Sequence, residues 1–211
     1  MQQWRLRWRA QRLWQDLQSI QVGNSSAGEA NTVLTKSGEI QSVCRDNEKC
    51  YSQIRITMHF PQVFSGSWER DARNYLPKLI DCLGIRSSGV GAAVISEHGV
   101  VTEKSFYEEV NLPVRDWYLR GGAYVPSLAV SSSEALQFRE TEQALVVHSD
   151  PLHYADRVKG PYGIRVKFLS KESPEERNNL MAFRFSCITQ LLPCKTEDEI
   201  LPSVKNLLRD E

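Results

Sequence analysis

The segment 148-HSDPLH-153 combines two histidines with a carboxylate, side chains suited to metal binding or acid–base chemistry. His148, Asp150 and His153 could ligate a metal ion, or His148 could act as a general base oriented by the carboxylate. The aspartate precedes a proline, however, and Asp-Pro commonly begins a turn. We therefore interpret this segment as a loop without chemistry, and we expect neither a metal nor a cofactor.

Cysteine nucleophiles are the second chemical possibility. Apolar residues surround Cys187 and Cys194, and burial among them raises the pKa of a thiol and silences it. The number of cysteines is odd and their spacings are wide, which predicts free, inert thiols rather than a disulfide scaffold, and a reducing compartment. The five cysteines are Cys44, Cys50, Cys82, Cys187 and Cys194.

Other catalytic and cofactor motifs are missing from the sequence. It contains no G-x-x-x-x-G-K-[ST] phosphate loop, no H-E-x-x-H helix and no C-x-x-C pair. The nearest glycine-rich candidate, 88-SGVGAA-93, lacks the third glycine of a dinucleotide-binding turn. The sequence thus favours a protein that acts by contact and not as an enzyme.

Charge alone does not identify a partner. The 26 basic residues balance the 26 acidic ones, so no global field attracts the chain to nucleic acid or to a membrane. The longest apolar runs, such as 90-VGAAVI-95, are too short to span a bilayer. Any electrostatic partner must therefore meet a local patch.

The N-terminal segment supplies such a patch. In a helix, one apolar stripe would form at its inner side, and Arg5, Arg9 and Arg12 would lie on the far side, flanked by Trp4 and Trp8. The stripe consists of Leu6, Ala10, Leu13, Leu17 and Ile20, with Trp14 at its edge.

Three roles for this helix stay open. It could dock on the core by its apolar stripe with the arginines solvated, and its outer margin could contact a membrane surface or a nucleoprotein. It could also complete an oligomer interface through Leu6, Leu13 and Leu17. The residues assigned to membrane or nucleocapsid contact are Trp4, Arg5, Arg7, Trp8, Arg9 and Arg12.

The remaining elements indicate an α+β domain. Residues 23–49 are small and polar and predict a linker, with a short strand near 38-GEIQSV-43. The segment 51-YSQIRITMHF-60 alternates as a half-buried antiparallel strand, with Ile54 and Ile56 inward and His59 on the polar side. Residues 65–84 predict a helix that Pro77 interrupts.

The second half of the chain continues this mixture. Residues 90–96 and 100–107 flank Glu-His-Gly and predict a hairpin, whereas 121–134 predicts a turn, a short extended piece and a loop. The segment 162-YGIRVKFLS-170 predicts a strand with Arg165 and Lys167 outward. The sequence 173-SPEE-176 carries three agreeing helix-start signals, and Thr196 begins a final helix that Pro202 interrupts. For 180–190, periodicity allows helix or strand.

The sequence therefore predicts an antiparallel sheet flanked by helices in a single globular α+β domain over 50–211. An amphipathic arm over 1–22 and the polar linker over 23–49 precede it.

The order of these features resembles the globular domain of rhabdovirus matrix proteins. The resemblance covers residues 50–180 and rests on 51-YSQIRITMHF-60, 68-WERDARNYLPKLI-80, 121-GGAYVP-126 and 160-GPYGIRVKFLSKES-173. Only Gly121, Ala123, Tyr124 and Pro126 match at the level of letters. The chain departs from the family because it has neither a Lys-rich start nor a P-P-x-Y budding motif.

The resemblance implies a non-enzymatic viral assembly protein that bridges nucleocapsid and membrane and self-associates. Its implied partners are viral nucleoprotein or ribonucleoprotein, an anionic membrane surface and further copies of the chain, with Tyr124 and Pro126 added to the self-association residues. Its implied location is the virion and the host cytoplasm, peripheral at a membrane. The alternative is an RNA-binding or silencing-suppressor module, with arginines on phosphates and tryptophans stacked on bases.

Overall fold

The computed structural model describes residues 2–45, 48–58, 88–111, 127–138, 152–158, 163–189, 194 and 196–207. The predicted helix over 65–84 and the predicted turn at 121–126 lie outside these residues. The predicted outward position of His59 and the thiol of Cys82 also lie outside them.

The described strands form one seven-stranded sheet, as the α+β prediction requires. Along the chain the strands are β1 (Gln41–Arg45), β2 (Lys49–Met58), β3 (Ser88–Glu97), β4 (Val100–Asn111), β5 (Ser127–Ala135), β6 (His153–Val158) and β7 (Gly163–Leu169). Their order across the sheet is β1-β2-β3-β4-β5-β7-β6. Every neighbouring pair is antiparallel except β5 and β7, which run parallel.

Alternation along the strands gives the sheet two distinct faces. Ile54 and Ile56 of β2 are buried on the first face, which confirms the predicted inward side of that strand. Ile164, Val166 and Phe168 of β7 lie on the same face. Because these side chains share one apolar cluster with residues of the helices, the main core lies between this face and the helical layer.

The helical layer comes from the two ends of the chain. α1 (Gln2–Gln18) and α2 (Ala27–Thr35) pack against strands β2, β3 and β4. α3 (Pro174–Leu180), a 3₁₀ helix (Phe185–Ile188), α4 (Glu197–Ile200) and α5 (Val204–Leu207) follow β7. Of the segment 180–190, for which periodicity allowed helix or strand, Leu180 ends α3, 185–188 form the 3₁₀ helix, and residue 190 lies outside the described residues.

Capping signals place the helix starts correctly. The Ser173 side chain accepts a hydrogen bond from the backbone of Glu176, and Pro174 occupies the first turn, as predicted. α4 begins after Thr196, although no side-chain cap forms there. Pro202 separates α4 from α5, as the predicted interruption requires.

The short strand predicted within 23–49 is present as β1, but the interpretation of the rest of this segment as a polar linker is wrong. Ser26 and Glu29 form a reciprocal capping box that starts α2, and Ala30 and Leu34 of this helix are buried in the main core. The connection from α1 is also pinned to the sheet, since the Gly23 amide donates to the Val101 carbonyl at 2.8 Å. The segment therefore belongs to the folded domain.

The hairpin between β3 and β4 is confirmed. His98 and Gly99 both adopt positive φ angles, of 50° and 81°, as a two-residue type I′ turn requires. On β3, Gly91 faces Tyr107 of β4 so closely that an added Cβ would lie 2.4 Å from the ring. The glycine-rich segment 88–93, which lacked the third glycine of a dinucleotide-binding turn, is part of this buried strand.

The prediction of free thiols is wrong for four cysteines. Cys44 and Cys50 form a disulfide across β1 and β2, and a second disulfide joins Cys187 to Cys194. Both members of the second pair are buried, as their apolar neighbours predicted. Since disulfides persist mainly in oxidising compartments, the inference of a reducing compartment loses its basis.

Candidate functional site

The outer side of α1 presents an aromatic and cationic surface, which we call the Trp/Arg face: Trp4, Arg5, Trp8, Arg9 and Arg12. Trp4 is 66% exposed and Trp8 is 59% exposed, although both are large apolar side chains. The three arginines are exposed as well. One helical turn separates the two tryptophans, so their rings lie along the same side of the helix.

Guanidinium groups lie close to both rings. The guanidinium of Arg7 is 5.5 Å from the centre of the Trp4 ring, and that of Arg12 is 5.5 Å from the centre of the Trp8 ring. These distances are within cation–π range. Arg7 is only partly exposed, since it also donates to the Thr189 hydroxyl at 3.2 Å. The stacking holds the indoles beside positive charge at the surface.

The opposite side of α1 fixes this surface to the domain. Ala10, Leu13 and Leu17 are fully buried, and Leu6 and Ile20 are 4% and 2% exposed. The predicted docking stripe is therefore confirmed. Burial of each such leucine contributes roughly 2 kcal/mol, so the helix is firmly held.

Polar contacts complete the docking of α1. The indole nitrogen of Trp14 donates to the Met181 carbonyl at 3.1 Å, and Arg9 donates to the Ser37 carbonyl at 3.1 Å. The ammonium of Lys104, on β4, donates to the Ile20 carbonyl at 2.7 Å and so holds the chain just after the helix. These bonds tie the middle and the C-terminal end of α1 to distant parts of the chain.

The covered face of the sheet also holds buried ionisable side chains that periodicity did not identify. Lys104 is 3% exposed, and burial lowers its pKa, although its ion pair with Glu134 at 3.2 Å acts in the opposite direction. Glu108 is fully buried, neither carboxylate oxygen has a hydrogen-bond partner, and burial raises its pKa to about 8. Ionisable groups whose pKa is strongly shifted often lie at functional sites.

The structure changes the assignment of the self-association residues. Leu6, Leu13 and Leu17 pack in the core of their own chain and are not available to a second copy. The prediction of an oligomer interface through these leucines is therefore wrong. Tyr124 and Pro126 lie outside the described residues. The proposed contact residues Trp4, Arg5, Trp8, Arg9 and Arg12 do share one exposed face, whereas Arg7 lies at its margin.

The histidine segment is only partly described. His148 and Asp150 lie outside the described residues, and His153, on β6, pairs with Glu172 at 2.8 Å. Among the described residues no group of three or more potential ligands is arranged to hold a metal ion.

Lys167 differs from its prediction. It lies on the second face of the sheet, away from Val166, but it is 2% exposed and pairs with Glu103 at 2.9 Å instead of meeting solvent. Phe138, Tyr154 and Leu169 form a small apolar cluster on that face, which shows that it is covered near β7. A side chain on the second face of this sheet is therefore not always exposed to solvent.

Within the described part of the chain, no helix combines the length and the apolar character needed to cross a membrane. Comparisons of the sequence and the fold with family models, curated proteins and solved structures find no match.

Proposed function

We propose that this chain is a non-enzymatic, peripheral protein of the matrix type that binds an anionic lipid surface through the Trp/Arg face of α1. The observation that carries the proposal is the exposure of Trp4 and Trp8 on a helix whose apolar stripe is already buried. Their indoles contribute little to the core, so we assign them a contact with a partner outside the domain.

The chemistry of the Trp/Arg face suits a lipid headgroup region. Tryptophan favours the interface of a bilayer, where one part of the ring is apolar and the other is wet. Arg5, Arg9 and Arg12 add three positive charges to the same exposed face. Each basic residue near an anionic leaflet contributes about 1 kcal/mol, which gives reversible and salt-sensitive attachment.

Weak attachment fits an assembly protein better than a permanent anchor. When several copies lie side by side, their modest affinities combine into firm binding. In the matrix-type role that the resemblance implies, copies of the chain self-associate through a surface other than the buried leucine stripe. A further surface would contact viral nucleoprotein or ribonucleoprotein.

Sedimentation with vesicles tests the lipid contact. The full chain should bind vesicles of phosphatidylcholine and phosphatidylserine, release on addition of salt, and bind pure phosphatidylcholine weakly. Trp4→Ala with Trp8→Ala, and separately Arg5→Glu with Arg12→Glu, should abolish binding. Tyr51→Ala is the matched control, because Tyr51 is an exposed aromatic residue of β2.

Two results would refute the lipid contact. The first is retention of vesicle binding by both pairs of variants. The second is binding of single-stranded RNA by the full chain without vesicle binding, with RNA binding lost in the same variants, which would favour the RNA-binding alternative instead.

A further inference from the structure

A cleft of about 490 Å³ lies beside the C-terminal end of α1. Gln18, Gln21 and Asn24 line one wall, Arg177 and Asn178 of α3 line the other, and side chains of β4 and β5 form the floor. This volume lies within the range of small-molecule sites. The cleft is thus formed where the two ends of the chain meet over the sheet.

Three charged side chains line the cleft. Lys104 and Glu134 are buried in its floor, 3.2 Å apart, and Arg177 reaches the second oxygen of Glu134 at 3.4 Å. The other lining residues carry no formal charge. Two cations and one carboxylate leave the cleft with a net charge of about +1.

The positions of Lys104 and Glu134 have a structural explanation. Lys104 holds the Ile20 carbonyl, and Glu134 compensates its charge in a site that solvent hardly reaches. Burial of an ion pair is costly unless each member is well bonded, and these two are. They would be needed even in a protein without a ligand.

Arg177 has no comparable explanation. Within the described residues, the one hydrogen bond of its side chain is the 3.4 Å contact to Glu134, and its Nε is buried without a partner. A guanidinium has five donors in a planar fork that matches carboxylate and phosphate oxygens. Arg177 therefore has hydrogen-bond donors available beside a cleft whose net charge is about +1.

We infer that this cleft binds a small anion, a phosphate or carboxylate group, held by Arg177 and by the amide side chains around it. One anionic group would neutralise the excess charge. The amides of Gln21, Asn24 and Asn178 supply further donors at the mouth of the cleft, whereas Glu134 limits the site to a ligand of low charge.

An NMR titration of the full chain tests the inference. Inorganic phosphate and acetate are the two probes, each added at constant ionic strength with chloride as the reference anion. The expected result is saturable shifts at Arg177, Asn178 and Asn24 for at least one probe, with a Kd of about 1 mM or tighter. The probe that binds distinguishes phosphate from carboxylate.

Variants locate the site. Arg177→Gln should weaken binding by about tenfold or more, because a hydrogen bond to a charged group is lost. Asn178→Ala, at an exposed position that does not threaten folding, should weaken it less. Arg165→Gln is the matched control, because Arg165 is exposed on the other face of the sheet. Absence of saturable binding for both probes, or equal binding by Arg177→Gln and the native chain, would overturn the inference.

Discussion

The buried carboxyl of Glu108 should make the stability of this protein fall as pH rises. Glu108 lies on β4 between Phe106 and Val110 on the covered face, opposite Val90 of β3 and Val130 of β5. Neither of its oxygens finds a partner, and burial alone raises its pKa from 4.5 to about 8. Glu108→Gln removes the ionisation while keeping the shape of the side chain.

The sign follows from linkage. The folded chain holds the Glu108 proton up to about pH 8, whereas the unfolded chain releases it near pH 4.5. Between these values the folded state binds more protons, so the free energy of unfolding decreases as pH rises. At about 1.4 kcal/mol for each pKa unit, the loss is roughly 3 kcal/mol by pH 7 and about 5 kcal/mol above pH 8.

Urea unfolding at a series of pH values between about 5 and 9 measures this effect. The free energy of unfolding of the native chain should fall relative to that of Glu108→Gln by several kcal/mol across this range. Glu109→Gln is the control, because Glu109 is the next residue along β4, on the second face, where it pairs with Arg55 at 3.0 Å. It should retain the pH dependence of the native chain. A constant difference between the native chain and Glu108→Gln would refute the assigned burial of a protonated carboxyl.

Four further variants test the packing and the cross-links of the fold. Leu13→Ala, in the fully buried stripe of α1, should lower the free energy of unfolding by about 2–5 kcal/mol in urea unfolding, and an unchanged value would contradict the docking of the helix. Gly91→Ala should be strongly destabilising in thermal unfolding because its Cβ would meet an aromatic ring at 2.4 Å. Gly28→Ala is the control, since no atom lies within 4 Å of the added methyl, and it should be neutral or stabilising by up to about 1 kcal/mol. Equal Tm values for Gly91→Ala and Gly28→Ala would contradict the register of β3 and β4. Cys44→Ser with Cys50→Ser opens a disulfide of sequence separation 6 and should cost roughly 2 kcal/mol in the free energy of unfolding. Unchanged stability, or mass spectrometry that finds Cys44 and Cys50 alkylated in the native chain, would contradict that disulfide.

Periodicity predicted the elements in which one side meets water. The stripe of α1 and the inward residues of β2 and β7 follow the 3.6-residue and 2-residue repeats, so their buried sides could be read from the sequence. Residue pairs with a local mechanism were also predictable, as the His98–Gly99 turn and the Ser173 cap show. These features depend on residues that are neighbours in the chain.

Features set by distant contacts could not be predicted. β5 contains three consecutive serines, a composition that predicts a loop. Ser132 is nevertheless buried, and its hydroxyl is satisfied there because it donates to the Leu180 carbonyl at 2.7 Å. The disulfides were missed because the spacing of cysteines does not show that Cys44 lies opposite Cys50. The capping box at Ser26 is a local signal, and the polar composition around it concealed it.

The Trp/Arg face and the cleft are connected through one side chain. Lys104 holds the carbonyl of Ile20, just beyond α1, and its charge is balanced by Glu134, which Arg177 also contacts. An anion bound at Arg177 would weaken the hold of that guanidinium on Glu134 and leave more of the carboxylate's charge for Lys104. A stronger Lys104–Glu134 pair would fix the chain at the C-terminal end of α1, the end away from Trp4 and Trp8. The helix that presents the Trp/Arg face is therefore held in two ways, by the leucine stripe along its length and by Lys104 just beyond its C-terminal end.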